Sequence, residues 1–130
     1  MFIPGNTYTR EEIQGEVGGE MPTYLPQNNN RILAGCFNEE LNPNCPNEVQ
    51  VKDTSQRNKK AELLMNQQDN IFPVFVKPTS ADKLYRYIGE FRCIGGSNET
   101  QVLKEAEERS GRYGDLSYVL YLEQVAEQSV

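Results

Sequence analysis

The stretch Leu84-Tyr85-Arg86-Tyr87-Ile88-Gly89-Glu90-Phe91-Arg92-Cys93 decides the fold class. Successive residues of a strand point to opposite faces of a sheet, so strict alternation marks a half-buried strand. Alternation sets Tyr85, Tyr87, Phe91 and Cys93 on one face and Arg86, Ile88, Glu90 and Arg92 on the other. Gly89, in the middle, predicts a bulge or a close approach of another group to the backbone.

Upstream, Ile71-Phe72-Pro73-Val74-Phe75-Val76 is a short apolar strand that Lys77-Pro78 ends, with Pro73 suited to an edge or a strand start. A hairpin across residues 78–83 would join these two strands. Downstream, Cys93-Ile94-Gly95-Gly96-Ser97-Asn98 reads as a strand-to-helix turn whose amides can face an anion. A helix over Glu99 to Ser110 follows, with Val102, Leu103 and Ala106 inward, and then a closing strand from Leu116 to Glu123. The last few residues are expected to fray.

In the first half, Thr9-Arg10-Glu11-Glu12 fits a capping box for a helix that Gly18-Gly19 ends. Tyr24-Leu25, between Pro22 and Pro26, is expected to plug into the core. Arg31 to Phe37 reads as one buried strand and Val49 to Lys52 as a second. A helix over Gln56 to Gln68 follows, with Ala61, Leu64 and Met65 on its apolar stripe and ordinary solvent exposure elsewhere.

This order lacks the strict βαβ alternation of a doubly wound sheet. It predicts an α+β fold, a single binding domain over residues 1–130. Its core would be a small curved mixed or antiparallel sheet, or a partly closed β-barrel, with about three flanking helices. The chain is long enough to bury a core without disulfide support. Cys36, Cys45 and Cys93 are an odd number without CxxC spacing, so no structural disulfide is expected. The N-terminal Met1-Phe2-Ile3-Pro4-Gly5 has no secretion-signal pattern and no window approaches a membrane span, which predicts a cytosolic protein with no membrane partner.

Nineteen acidic against 13 basic residues give a formal charge of −6, which disfavours indiscriminate attraction to nucleic-acid phosphate. The chain has no His, which removes the usual general base near neutral pH and every His-containing triad or metal set. Glu11-Glu12, Glu39-Glu40 and Glu107-Glu108 read as solvated faces, since adjacent residues diverge on a helix. No catalytic constellation, metal site or cofactor motif is present, so the chain is read as a non-enzyme without a cofactor. What remains is aromatic plus basic: Tyr85-Arg86-Tyr87, Arg92, Lys77 and Tyr24. Such a mixture can stack a base on a ring while a guanidinium holds a phosphate or a base edge.

Taken together, Tyr8-Thr9-Arg10-Glu11-Glu12-Ile13 with Gly18-Gly19, the Arg31 to Phe37 strand and Asn42-Pro43 form a family-like pattern. Pro73-Val74-Phe75-Val76-Lys77 and Tyr87-Ile88-Gly89-Glu90-Phe91-Arg92 complete it. The pattern resembles small restriction-associated bacterial domains of the YDG/SRA and wider PUA-like group. The resemblance implies a curved β-barrel with flanking helices that recognises a modified or flipped base.

The leading expectation is therefore non-enzymatic recognition of a nucleobase or nucleotide, most concretely a modified base in DNA. Tyr87 or Tyr24 would stack, Arg10 and Arg92 would hold phosphate or base-edge acceptors, and Lys77 would add charge at the rim. The alternatives are an acidic protein-interaction or inhibitor module that mimics nucleic acid, and a receptor sequestering a small signalling nucleotide.

Overall fold

The computed structural model describes residues 1–125; the expected fraying of the chain's last few residues falls largely outside them. The short strand β1 (Thr7–Thr9) leads directly into helix α1 (Arg10–Val17). The capping box forms as the sequence predicts: the Thr9 hydroxyl accepts from the Glu12 amide at 3.1 Å, and the Glu12 carboxylate accepts from the Thr9 amide at 2.9 Å. Gly18, at φ 83°, ends the helix in a conformation that favours glycine.

The segment expected as one strand over Arg31 to Phe37 is two. Asn29 and Asn30 adopt φ of 52° and 65°, turning the chain so that β3 (Arg31–Ile32) pairs back on β2 (Gln27–Asn28). After Leu33 and Ala34 the chain enters β4 (Gly35–Asn38). Then come β5 (Glu48–Lys52), α2 (Ser55–Met65), β6 (Ile71–Lys77), β7 (Leu84–Ser97), α3 (Thr100–Ser110) and β8 (Leu116–Gln124). The main sheet has the order β4-β6-β7-β8-β5, with β1 added beside β7. Strands β4 and β6 run parallel and the other neighbours antiparallel, including the expected β6–β7 hairpin. The fold is α+β with a mixed sheet and three helices, and the sheet is not closed into a barrel.

Strand β7 runs on to Ser97, so the expected strand-to-helix turn at Cys93 to Asn98 is strand instead, kinked where the register shifts between Cys93 and Gly95. Gly96 lies so close to α2 and β8 that an added Cβ would sit 2.6 Å from Met65 Sδ and 3.0 Å from the Val119 carbonyl. Packing, rather than an anion cradle, accounts for that glycine.

The bulge expected at Gly89 is present, and it overturns the simple alternation. Tyr87 pairs with Phe75 and Gly89 with Val74, so Ile88 is the extra residue. One inserted residue reverses the facing of everything beyond it. Phe91 and Cys93 join Phe72, Val74, Leu120 and Leu122 in the main core, against Ala61 and Leu64 of α2. Tyr85 and Tyr87 turn to the other face, where they meet Phe75, Cys36 and Ile13 of α1. A third cluster seats Ala106 of α3 on Leu116 and Val119. Leu25 is fully buried and Tyr24 packs beside it, as expected of the proline-bounded plug.

Cys36, Cys45 and Cys93 are free thiols. Among the described residues no helix is long and apolar enough to cross a membrane.

Candidate functional site

The two end strands of the main sheet, β4 and β5, line one cleft of about 310 Å³, so the seam where a barrel would close is an opening instead. The residue 22–24 loop, the start of α2 and the end of the β6–β7 hairpin complete its walls. The outer edge of β5 is satisfied by side chains rather than by another strand. Asn42 Oδ1 accepts from the Gln50 amide at 2.7 Å, and Arg112 donates to the Gln50 carbonyl at 3.4 Å.

The lining is strongly one-signed. Arg10, Lys52, Arg57, Lys77 and Arg112 contribute to it, five of the chain's 13 cations, and among the described residues no acid does. Among the described residues, the ion pairs of Lys and Arg lie elsewhere, at Lys60–Glu20, Arg92–Glu123 and Arg109–Glu48. Neutral acceptors hold Arg10, Lys77 and Arg112. Lys77 Nζ donates to the carbonyls of Ser80 and Asp82 at 3.3 and 3.0 Å and lies 4.7 Å from the centre of the Tyr85 ring. Arg112 also donates to the Leu41 carbonyl at 3.2 Å, and burial lowers its pKa.

Arg10 is the most constrained of the five. As the first residue of α1 it projects its guanidinium beneath the 20–24 loop, where Nη2 donates to the Glu20 carbonyl at 3.0 Å. Only 9% of the residue is exposed, and Nε and Nη1 are buried with no hydrogen-bond partner among the described residues. A buried guanidinium without a counter-charge is costly, and its field acts on the adjoining cleft over several ångströms. The Gln50 side-chain carbonyl, also in the cleft lining, is buried with no hydrogen-bond partner among the described residues.

Tyr24 bridges the loop to α2, its hydroxyl donating to the Arg57 carbonyl at 2.8 Å, and its own carbonyl accepts from the Cys36 amide at 2.9 Å. Burial raises the Tyr24 and Tyr85 phenols above their usual range. Burial also pushes the Cys36 thiol up to about 11, despite the opposing charges of Arg10 and Lys77.

Of the residues singled out in the sequence, Arg10, Tyr24 and Lys77 line this cleft together. Tyr87 and Arg92 do not. The bulge buries Tyr87 against Phe2 and Phe75, with its hydroxyl 2.6 Å from Glu90 Oε2. Arg92 lies on the exposed side of β7, where its Nε and Nη2 donate to Glu123 at 2.8 and 2.5 Å. Sequence reasoning missed Arg57, Lys52 and Arg112. Each occupies a position that ordinary solvent exposure explains, and only the curl of the sheet collects them. Among the described residues no group of three or more Cys, Asp and Glu side chains is arranged to hold a metal ion. No family model, no curated protein and no solved structure matches the chain.

Proposed function

We propose that this protein recognises a nucleotide in the cleft at the seam of its sheet, holding it without transforming it. The observation that carries this reading is charge segregation: among the described residues, five cations and no acid line one cleft of a protein whose formal charge is −6. The buried guanidinium of Arg10, without an ion pair among the described residues, adds a demand for an anion that a plain solvated patch would not make. The volume of about 310 Å³ suits a mononucleotide-sized guest, at the lower end of the usual range for ligand pockets. Tyr24 and Tyr85 supply ring surface for a base, while Lys52, Arg57, Lys77 and Arg112 supply charge for phosphate.

Recognition without chemistry is supported by the acid–base character of the walls. Cys36 at about 11 and the raised tyrosines are protonated at neutral pH, and the chain has no His to serve as a general base. The resemblance to the YDG/SRA and PUA-like group makes a modified base in DNA the first base to compare with its unmodified form.

The test is calorimetric titration of the four deoxynucleoside monophosphates, 5-methyldeoxycytidine monophosphate and the matching nucleosides. Nucleotides are expected to bind and nucleosides to bind at least about tenfold more weakly, since charge-assisted contacts are the stronger ones. Arg10→Gln should weaken the nucleotides selectively. Equal binding of nucleotides and nucleosides, or no binding of either, rejects the proposal.

A further inference from the structure

A second cavity, of about 700 Å³, adjoins the cleft and shares Pro22, Thr23, Tyr24 and Arg57 with it. It extends the positive lining along α2 through Lys59 and Lys60. The two cavities together collect seven of the 13 cations and, among the described residues, one acid, Glu20. That acid is neutralised in place, because Lys60 Nζ lies 2.8 Å from Glu20 Oε2 and the Gln27 amide donates to Oε1 at 2.7 Å. The same ammonium donates to the Leu25 carbonyl at 2.8 Å, so the pair clamps the loop that separates the two cavities. Lys59, by contrast, has an exposed side chain and no ion pair among the described residues.

We infer that the ligand is a short single strand: one nucleotide occupies the cleft, and its neighbours run past Arg57 and Tyr24 into the second cavity beside Lys59. This rests on the nucleotide reading of the cleft and specifies the form in which the nucleotide arrives. A free mononucleotide fills the first cavity and leaves the second, more than twice as large, without a role. A strand places phosphates at intervals, which matches cations spread from Arg10 to Lys59 better than one concentrated anionic group does. The acidic remainder of the molecule repels a long duplex and limits the footprint to a few nucleotides.

Fluorescence anisotropy with random-sequence 5′-fluorescein oligodeoxynucleotides of one, two, four and eight residues tests this on the full chain. Affinity should rise about tenfold from one residue to four and less than about threefold from four to eight, with a salt slope of roughly −0.7 per phosphate engaged. Lys59→Gln should reduce the ratio of tetranucleotide to mononucleotide affinity about threefold, whereas Lys104→Gln, which removes the same charge from α3, should leave that ratio alone. Mononucleotide binding as tight as that of the tetranucleotide overturns the strand while leaving the cleft reading intact. So does an equal effect of the two lysine variants. Absence of binding at every length removes both.

Discussion

A buried guanidinium is stable only to the extent that neighbours or a ligand compensate its charge, and Arg10 has two backbone carbonyls within 3.5 Å but, among the described residues, no paired carboxylate. The thermodynamic signature of a residue kept for binding is that its removal stabilises the unliganded fold. Arg10→Met keeps the unbranched bulk and discards the charge. In urea unfolding without ligand this variant should be about 1–2 kcal/mol more stable than the parent, after allowance for the lost carbonyl contacts. Nucleotide binding should be lost at the same time. A destabilised variant would mean that the carbonyl bonds outweigh the charge burial and that Arg10 is a strut for the 20–24 loop. The sequence marks Arg10 through its place beside the Thr9 cap and as a candidate anion holder in the family-like pattern, but not its burial, because burial of its Nε and Nη1 depends on a loop ten residues away.

At the scale of elements, β7 decides which side chains meet, and its bulge is the feature that alternation alone misjudges. Gly89 at φ 125° lies where L side chains are strained, and a Cβ there would stand 2.5 Å from Gln124 Nε2. Gly89→Ala should therefore cost about 1–3 kcal/mol in stability, measured by denaturant unfolding, most of it backbone strain because the Gln124 side chain can move aside. No loss would imply that the register of β6 and β7 slips to absorb the change. The glycine was legible as a bulge, but its effect on facing was not. Periodicity treats Tyr85 through Cys93 as one face, whereas a single extra residue, Ile88, sends Tyr87 to the α1 side and Phe91 to the α2 side. For the same reason the helices, the β6–β7 hairpin and the α+β class followed from local pattern, the choice among mixed sheet, antiparallel sheet and barrel did not, and the pairing of Arg31–Ile32 back on β2 rests on a turn where two asparagines take positive φ. The site was legible in part: Arg10, Tyr24 and Lys77 share the cleft, but Arg57 and Arg112 come from separate elements that only the curl of the sheet brings together.

Over the whole molecule, the cleft is a basic interior set in an acidic exterior, and the two respond differently to pH. The exterior repels an anionic ligand at neutral pH, and this repulsion fades as carboxylates protonate toward the sequence pI of about 4.7. Ammonium and guanidinium groups do not ordinarily titrate in that range, and phosphodiesters remain anionic. Affinity for a tetranucleotide should accordingly rise as pH falls from 7 to about 5, with the change largest at low salt. Below that the sign reverses. Burial would raise the Glu20 pKa, but Lys60 and the Gln27 amides outweigh it and hold the carboxyl at about 2, below its ordinary 4.5. A depressed carboxylate contributes stability that is present above the ordinary value and lost as pH falls through the folded one. Between pH 4.5 and about 2 the Glu20–Lys60 clamp therefore weakens and the loop dividing the two cavities loosens. Anisotropy titrations across pH 7 to 3 should trace a maximum near the pI, and Glu20→Gln should flatten its acid limb while keeping the rise from pH 7 to 5. A steady fall from pH 7 downward would mean that a group titrating near neutrality holds the ligand, contrary to a cleft built on guanidinium and ammonium charge.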